Sequence, residues 1–218
     1  MKQLLCLVLS ACCALAQANG LQSLERFAAR VQSGQAAFTQ TVTAPSRAGS
    51  PARVKISSGT FAFLRPGRFR FDYAQPFAQT LVADGETLWM YDHDLQQVTA
   101  RKQASALGNT PAALIASAPD LRALQSQFVL IAAPDANGLQ WVQATPLATD
   151  GQLRSVRMGF RLAADATGQA LPTLEVLQID DSFGQRSVLT FAQFQVNPSL
   201  SAAGFRFTPP AGVDVLQQ

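Results

Sequence analysis

Residues 65–76 read RPGRFRFDYAQP. Taken two at a time, they put Phe69, Phe71 and Tyr73 on one face and Arg68, Arg70 and Asp72 on the other. That is the alternation of an antiparallel strand with one face buried. The stretch just before it, GTFAFLR (residues 59–65), puts Phe61, Phe63 and Arg65 on a single face. Arg65 is thus in phase with two phenylalanines. A guanidinium taken out of water is costly unless its donors are matched. The pattern therefore calls for hydrogen-bond acceptors beside an aromatic wall.

Strand-like segments extend outward on both sides. AAFTQTVTA and ARVKISSGTFAFLR precede the opening stretch, and AQTLVADG, TLWMYDHD and LQQVTAR follow it. Asp84-Gly85 is a hairpin signal, and Asp92-His93-Asp94 marks a second turn. Near-consecutive hairpins imply an antiparallel meander rather than strand–helix–strand units. After a break, FVLIAA, LQWVQATP, LRSVRMGFRL, PTLEVLQID, RSVLTFAQFQV and FRFTPP resume the pattern, with a hairpin loop over residues 180–185. The total is about a dozen candidate strands.

Helical spacing occurs in two places. Leu21, Leu24, Phe27, Ala28 and Val31 share one face, with Asn19 and Gln22 as a capping box and Gly34 as the stop. Residues 108–127, GNTPAALIASAPDLRALQSQ, read as two short helices divided by Pro119, the first capped by Asn109 or Thr110. That first helix is apolar nearly all round, so it needs something to cover. A sheet of this many strands must curl or split. Three helices are too few to fill the concavity with an ordinary core. The expectation is mainly β with α: an incomplete, unclosed antiparallel β-barrel whose apolar cavity is capped by helices.

The chain has 218 residues, 48% hydrophobic and 14% charged, with a formal net charge of +3. Length suggests one domain. The mild, scattered charge gives no reason to expect nucleic acid as a partner. No apolar run of about 18 residues follows the N-terminus. MKQLLCLVLSACCALAQANG has the positive start, apolar run and Ala-Gln-Ala site of an export signal, cleaved after Ala18 to leave residues 19–218 as a single domain. Cleavage would remove all three cysteines, Cys6, Cys12 and Cys13. LSAC, residues 9–12, competes as a lipidation site that would anchor the protein through Cys12.

Catalytic chemistry finds little support. The one histidine, His93, sits in a turn whose neighbours point apart, with no thiol or second histidine to complete a metal site. No nucleophile elbow or phosphate-binding loop is present. Neither a catalytic set, a metal nor a cofactor is expected.

QAAFTQTV, RPGRFRFDYAQP, DGETLWMYD with QVTA, GNTPAALIA and FTPPAGVDV occur in this order along the chain. Together, behind an export signal, they resemble the periplasmic outer-membrane lipoprotein carrier family, LolA, over most of the mature chain. The resemblance implies an unclosed barrel covered by three helices, with lipoprotein acyl chains in the cavity. It implies loading by an inner-membrane lipoprotein-releasing ABC transporter and delivery to an outer-membrane receptor of similar fold. By this likeness Arg65 latches the lid helix, and Phe69 takes part in accepting lipoprotein. Phe71, Trp89, Leu114 and Ile115 match cavity or lid positions. A monomer is expected. The alternatives are an anchored receptor of the same fold and a periplasmic carrier of another amphiphile.

Overall fold

The alternation becomes a single sheet in the computed structural model, which describes residues 19–46, 51–107, 115, 121–164 and 170–218. The export signal, Cys12 and Leu114 lie outside the described residues. Six strands come first: β1 (Ser33–Thr43), β2 (Val54–Leu64), β3 (Arg68–Gln75), β4 (Gln79–Ala83), β5 (Thr87–Asp92) and β6 (Gln97–Lys102). Five more follow the helical break: β7 (Phe128–Ala136), β8 (Leu139–Pro146), β9 (Leu153–Ala164), β10 (Ala170–Asp181) and β11 (Arg186–Val196). A short β12 (Asp214–Gln217) ends the chain. The spatial order is β12-β6-β5-β4-β3-β2-β1-β11-β10-β9-β8-β7. Its two edges, β12 and β7, do not pair, so the barrel stays open.

One sequence expectation is corrected at the C-terminus: FRFTPP is not a strand. The last strand, β12, which the sequence reading did not pick out, pairs with β6 in parallel. Pro209 and Pro210 have no N–H to give a ladder. Their segment is instead held by its aromatics. Phe205, ending a 3-10 turn at Ala202–Phe205, is buried, and Phe207 stacks near Trp89 and Tyr91 at 5.6 and 6.0 Å.

Helix α1 (Gly20–Arg30) begins as expected, with the Asn19 side chain accepting from the Gln22 amide at 3.1 Å. It ends at Arg30, not at Gly34. The Val31 amide donates to the Phe27 carbonyl at 3.0 Å, and Asn197 Nδ2 donates to the Arg30 carbonyl at 2.9 Å. Gly34 serves β1 instead. A Cβ there would lie 2.4 Å from the Phe63 ring, so glycine lets that ring lie flat on the strand.

Among the described residues, two more helices lie between β6 and β7: α2 (Gln103–Leu107) and α3 (Leu121–Gln125). The sequence reading missed α2, because QASAL has no clear period. Gln103 fixes it by closing the β4–β5 hairpin: its Oε1 accepts from the Gly85 amide at 2.9 Å and its Nε2 donates to the Gly67 carbonyl at 2.7 Å. Of the apolar helix expected at residues 111–118, only Ile115 is described, and it is helical.

Helix α1 crosses the concave face of β7–β10 and packs on α3. Phe27 and Leu24 from α1 meet Phe61, Phe63, Phe69, Phe71, Phe160 and Phe191 from the sheet in one buried cluster. The inner face is thus an aromatic wall with a helix laid over part of it. The outer face has its own smaller apolar layer, with Val82, Val98 and Ala100 buried and Phe207 set against Trp89 and Tyr91.

Candidate functional site

Arg65 follows β2 and keeps the phase of Phe61 and Phe63. Its Nη1 donates to the Ala28 carbonyl at 3.3 Å and its Nη2 to the Ile115 carbonyl at 2.9 Å. Ala28 lies in the last turn of α1, where a helix leaves carbonyls without internal donors. The negative end of the helix dipole also favours a cation there. The guanidinium carbon lies 5.6 Å from the centroid of the Phe27 ring and 5.7 Å from that of Phe63, within cation–π range. Burial pushes the guanidinium pKa down to about 10, which leaves it charged at neutral pH. One side chain therefore ties the sheet to α1 and to the helical residue Ile115.

Around it the aromatics form a continuous surface. Phe69 and Phe71 face inward on β3, both buried, with centroids 6.0 Å apart. Phe61 stands 4.5 Å from Phe71 and 5.3 Å from Phe191. Phe38 on β1 reaches Tyr73 on β3 at 5.0 Å, edge to face, across Gly59 on β2. Glycine is required at that point. A Cβ would come within 1.9 Å of the Asp72 carbonyl oxygen.

Beyond Tyr73 the inner face changes character. The Tyr73 hydroxyl donates to Gln40 Oε1 at 3.0 Å, and Gln40 Nε2 donates to Ser187 Oγ at 2.8 Å. Burial pushes the Tyr73 phenol pKa up, so it stays protonated. Outside this seam lies an open cleft of about 470 Å³, bordered by Gln40, Lys55, Tyr73, Phe77, Asp92 and Leu95. Phe77 and Leu95 are largely exposed there, and Lys55 Nζ sits 5.8 Å from the Phe77 centroid.

The sequence-selected residues divide. Arg65, Phe69, Phe71 and Ile115 come together at the inner face. Trp89 does not. It alternates with Leu88, which packs inward, so its indole faces outward, where Nε1 donates to Asp84 Oδ2 at 2.8 Å. Placing Trp89 at the cavity is therefore corrected, since strand phase sends it to the outer layer. Leu114 lies outside the described residues. Sequence reading overlooked Phe27, Phe38 and Phe191 as partners of the wall, and Gln40 and Ser187 altogether. The phase of Phe38 with Gln40 on β1 was the available signal.

His93 belongs to a turn network. Its Nε2 lies 3.2 Å from Thr80 Oγ1, which donates to Asp72 Oδ1 at 3.0 Å, and Asp72 pairs with Arg70. Among the described residues, no group of three or more His, Cys, Asp or Glu could hold a metal ion.

Comparison with known proteins agrees with this geometry. Residues 29–208 match the family described as "Outer membrane lipoprotein carrier protein LolA". An outer-membrane lipoprotein carrier protein of Albidiferax ferrireducens is 58% identical over all of both chains. One from Leptothrix cholodnii is 49% identical, covering 93% of this chain and 88% of that one. An uncharacterized protein from Thermus thermophilus shares the fold, with a TM-score of 0.53 at 13% identity over 91% of this chain and 97% of that one.

Proposed function

The chain belongs to the outer membrane lipoprotein carrier (LolA) family, and on that premise we propose that it is a periplasmic carrier holding lipoprotein acyl chains against the inner aromatic face. Residues 1–18 are its export signal, and residues 19–218 are one carrier domain acting as a monomer. It accepts lipoprotein from an inner-membrane ABC transporter and passes it to an outer-membrane receptor. The task needs no covalent chemistry, cofactor or metal.

The observation that carries this reading is the Arg65 bridge. Acyl chains can enter only if helices move off the wall, and the bridge joins wall to helices through hydrogen bonds to the Ala28 and Ile115 carbonyls. Such bonds contribute about 1.5–3 kcal/mol when one partner is charged. Each buried acyl CH₂ contributes about 0.8 kcal/mol. Well-packed chains alone would therefore be held too tightly to leave. Reclosing the bridge returns free energy as cargo departs, which makes release reversible and directed by the better receiving site.

The test is Arg65→Leu. Without the bridge the open state is no longer opposed, so the variant is expected to load lipoprotein as well as or better than the parent. It should transfer that cargo to receptor poorly. Transfer at the parental rate would remove Arg65 from the mechanism.

A further inference from the structure

The inner face carries a polar seam that an apolar binding surface has no use for. Tyr73, Gln40 and Ser187 come from three strands, and Ser187 is almost fully buried. A row of leucines at these places would bury more apolar surface, and replacing both members of a buried hydrogen-bonded pair by apolar groups is often neutral or stabilising. The seam also keeps hydrogen-bonding capacity. The Ser187 hydroxyl accepts from Gln40 and still carries a proton to give, and the Gln40 amide nitrogen carries a second one. Gln40 and Tyr73 border the 470 Å³ cleft where the aromatic wall, through Phe38 and Tyr73, gives way to it, and Ser187 joins them through its bond to Gln40.

A lipid-modified cysteine has the matching profile. Its chains are apolar, and they meet the peptide at a narrow zone of ester carbonyls that accept but do not donate. Resting on the carrier reading above, we infer that the Tyr73–Gln40–Ser187 seam binds the ester carbonyls of the cargo's diacylglyceryl group and so fixes how deep its acyl chains enter. The chains lie along Phe38, Phe61 and Phe71, and the peptide leaves past Lys55 and Asp92. In the unloaded protein the three side chains are bonded to one another, with one donor each left on Gln40 and Ser187. On loading, Gln40 and Ser187 turn their remaining donors to the carbonyls.

The test compares two synthetic lipopeptides with the same peptide and chain lengths. One carries a diacylglyceryl-cysteine with two esters, the other its di-O-alkyl ether analogue. Binding is titrated to the purified chain and to Gln40→Leu, Tyr73→Phe and Ser187→Ala, each first checked for a native circular-dichroism spectrum. The parent is expected to prefer the ester by about five- to tenfold, the range of one or two hydrogen bonds. The variants should lose that preference while holding the ether probe as before. A diacyl phospholipid presents the same two ester carbonyls, so it and its ether counterpart form a second arm in which the same direction of preference is expected. Parent binding both lipopeptides equally, folded variants keeping the preference, or a preference seen with phospholipid alone would each overturn the inference. Failure of the parent to bind either lipopeptide would instead overturn the carrier reading beneath it.

Discussion

Arg65 shows how much of one side chain's role a strand period carries. Its phase with Phe61 and Phe63 places it on the apolar side, and the cost of desolvation demands acceptors. The carbonyls of Ala28 and Ile115 supply them. The identity of those acceptors was not legible from pattern, because backbone oxygens leave no trace in sequence. Geometry makes guanidinium necessary as well as charge. Lysine offers its donors from a single point and cannot reach two carbonyls along diverging directions. Arg65→Lys is expected to fall between the parent and Arg65→Leu in receptor transfer, measured as lipoprotein passed per minute in a purified assay. A lysine variant equal to the parent would reduce Arg65 to its charge.

Asp84 carries a second residue-scale prediction. Burial raises its pKa, but donors from the Thr87 and Glu86 amides and from Trp89 outweigh this, and the net shift is downward from 3.8. A carboxylate with a depressed folded pKa contributes stability above its unfolded value and loses it as pH falls through the folded one. Asp84→Asn should therefore have a lower urea midpoint than the parent at pH 7, and the gap should narrow toward pH 3. A gap constant with pH would remove the proton linkage.

Strands were legible wherever a period of two ran for five or more residues. Eleven segments, including β2 and β3, became strands close to their expected limits. The errors fell where tertiary partners decide. Phe205 and Phe207 gave FRFTPP a strand-like alternation, yet Phe207 lies against Trp89 and Tyr91 on the outer face, where Val82 and Val98 are also buried. Trp89 shares that layer, and inner and outer apolar faces look alike in sequence. Trp89→Phe is expected to lower the melting temperature through loss of the Asp84 bond while changing lipopeptide affinity less than twofold. Phe71→Leu, on the wall, should change that affinity at least fivefold. Equal effects of the two on binding would mean that strand phase does not separate wall from outer layer.

Glycine marks a further limit at the same scale. Gly59 reads as one more small residue in a strand, but its missing Cβ lets β2 pass the Asp72 carbonyl and lets Phe38 meet Tyr73. Gly59→Ala should destabilise by about 1–3 kcal/mol, the range for forced overpacking. A Cβ at Gly204 meets nothing within 4 Å, and Gly204→Ala serves as the neutral control. Chemical denaturation of both variants decides the comparison.

At the scale of the molecule, one fact organises the rest. The sheet has twelve strands and two unpaired edges, and its concave side is lined with phenylalanine. Counting strands against helices was enough to expect an open barrel, since the helices could not fill it. The aromatic wall packs on itself and on α1 through Phe27, with centroid distances of 5.4 Å to Phe160 and 6.0 Å to Phe63. Cargo must replace these contacts. The inward phase of Gln40 was legible, but its partner was not, because Ser187 is 147 residues away and joins it only through the pairing of β1 with β11. Long-range register is what a linear pattern cannot carry.

The central claim is that this fold accepts lipoproteins released from a membrane and keeps them in water. The direct measurement adds purified residues 19–218 to spheroplasts of a Gram-negative bacterium with its lipoprotein transporter. Outer-membrane lipoprotein is then assayed in the soluble fraction. The expected result is lipoprotein released as a soluble 1:1 complex with the chain. Lipoprotein that stays with the spheroplasts, while the added chain remains folded and the transporter is active, would contradict the claim.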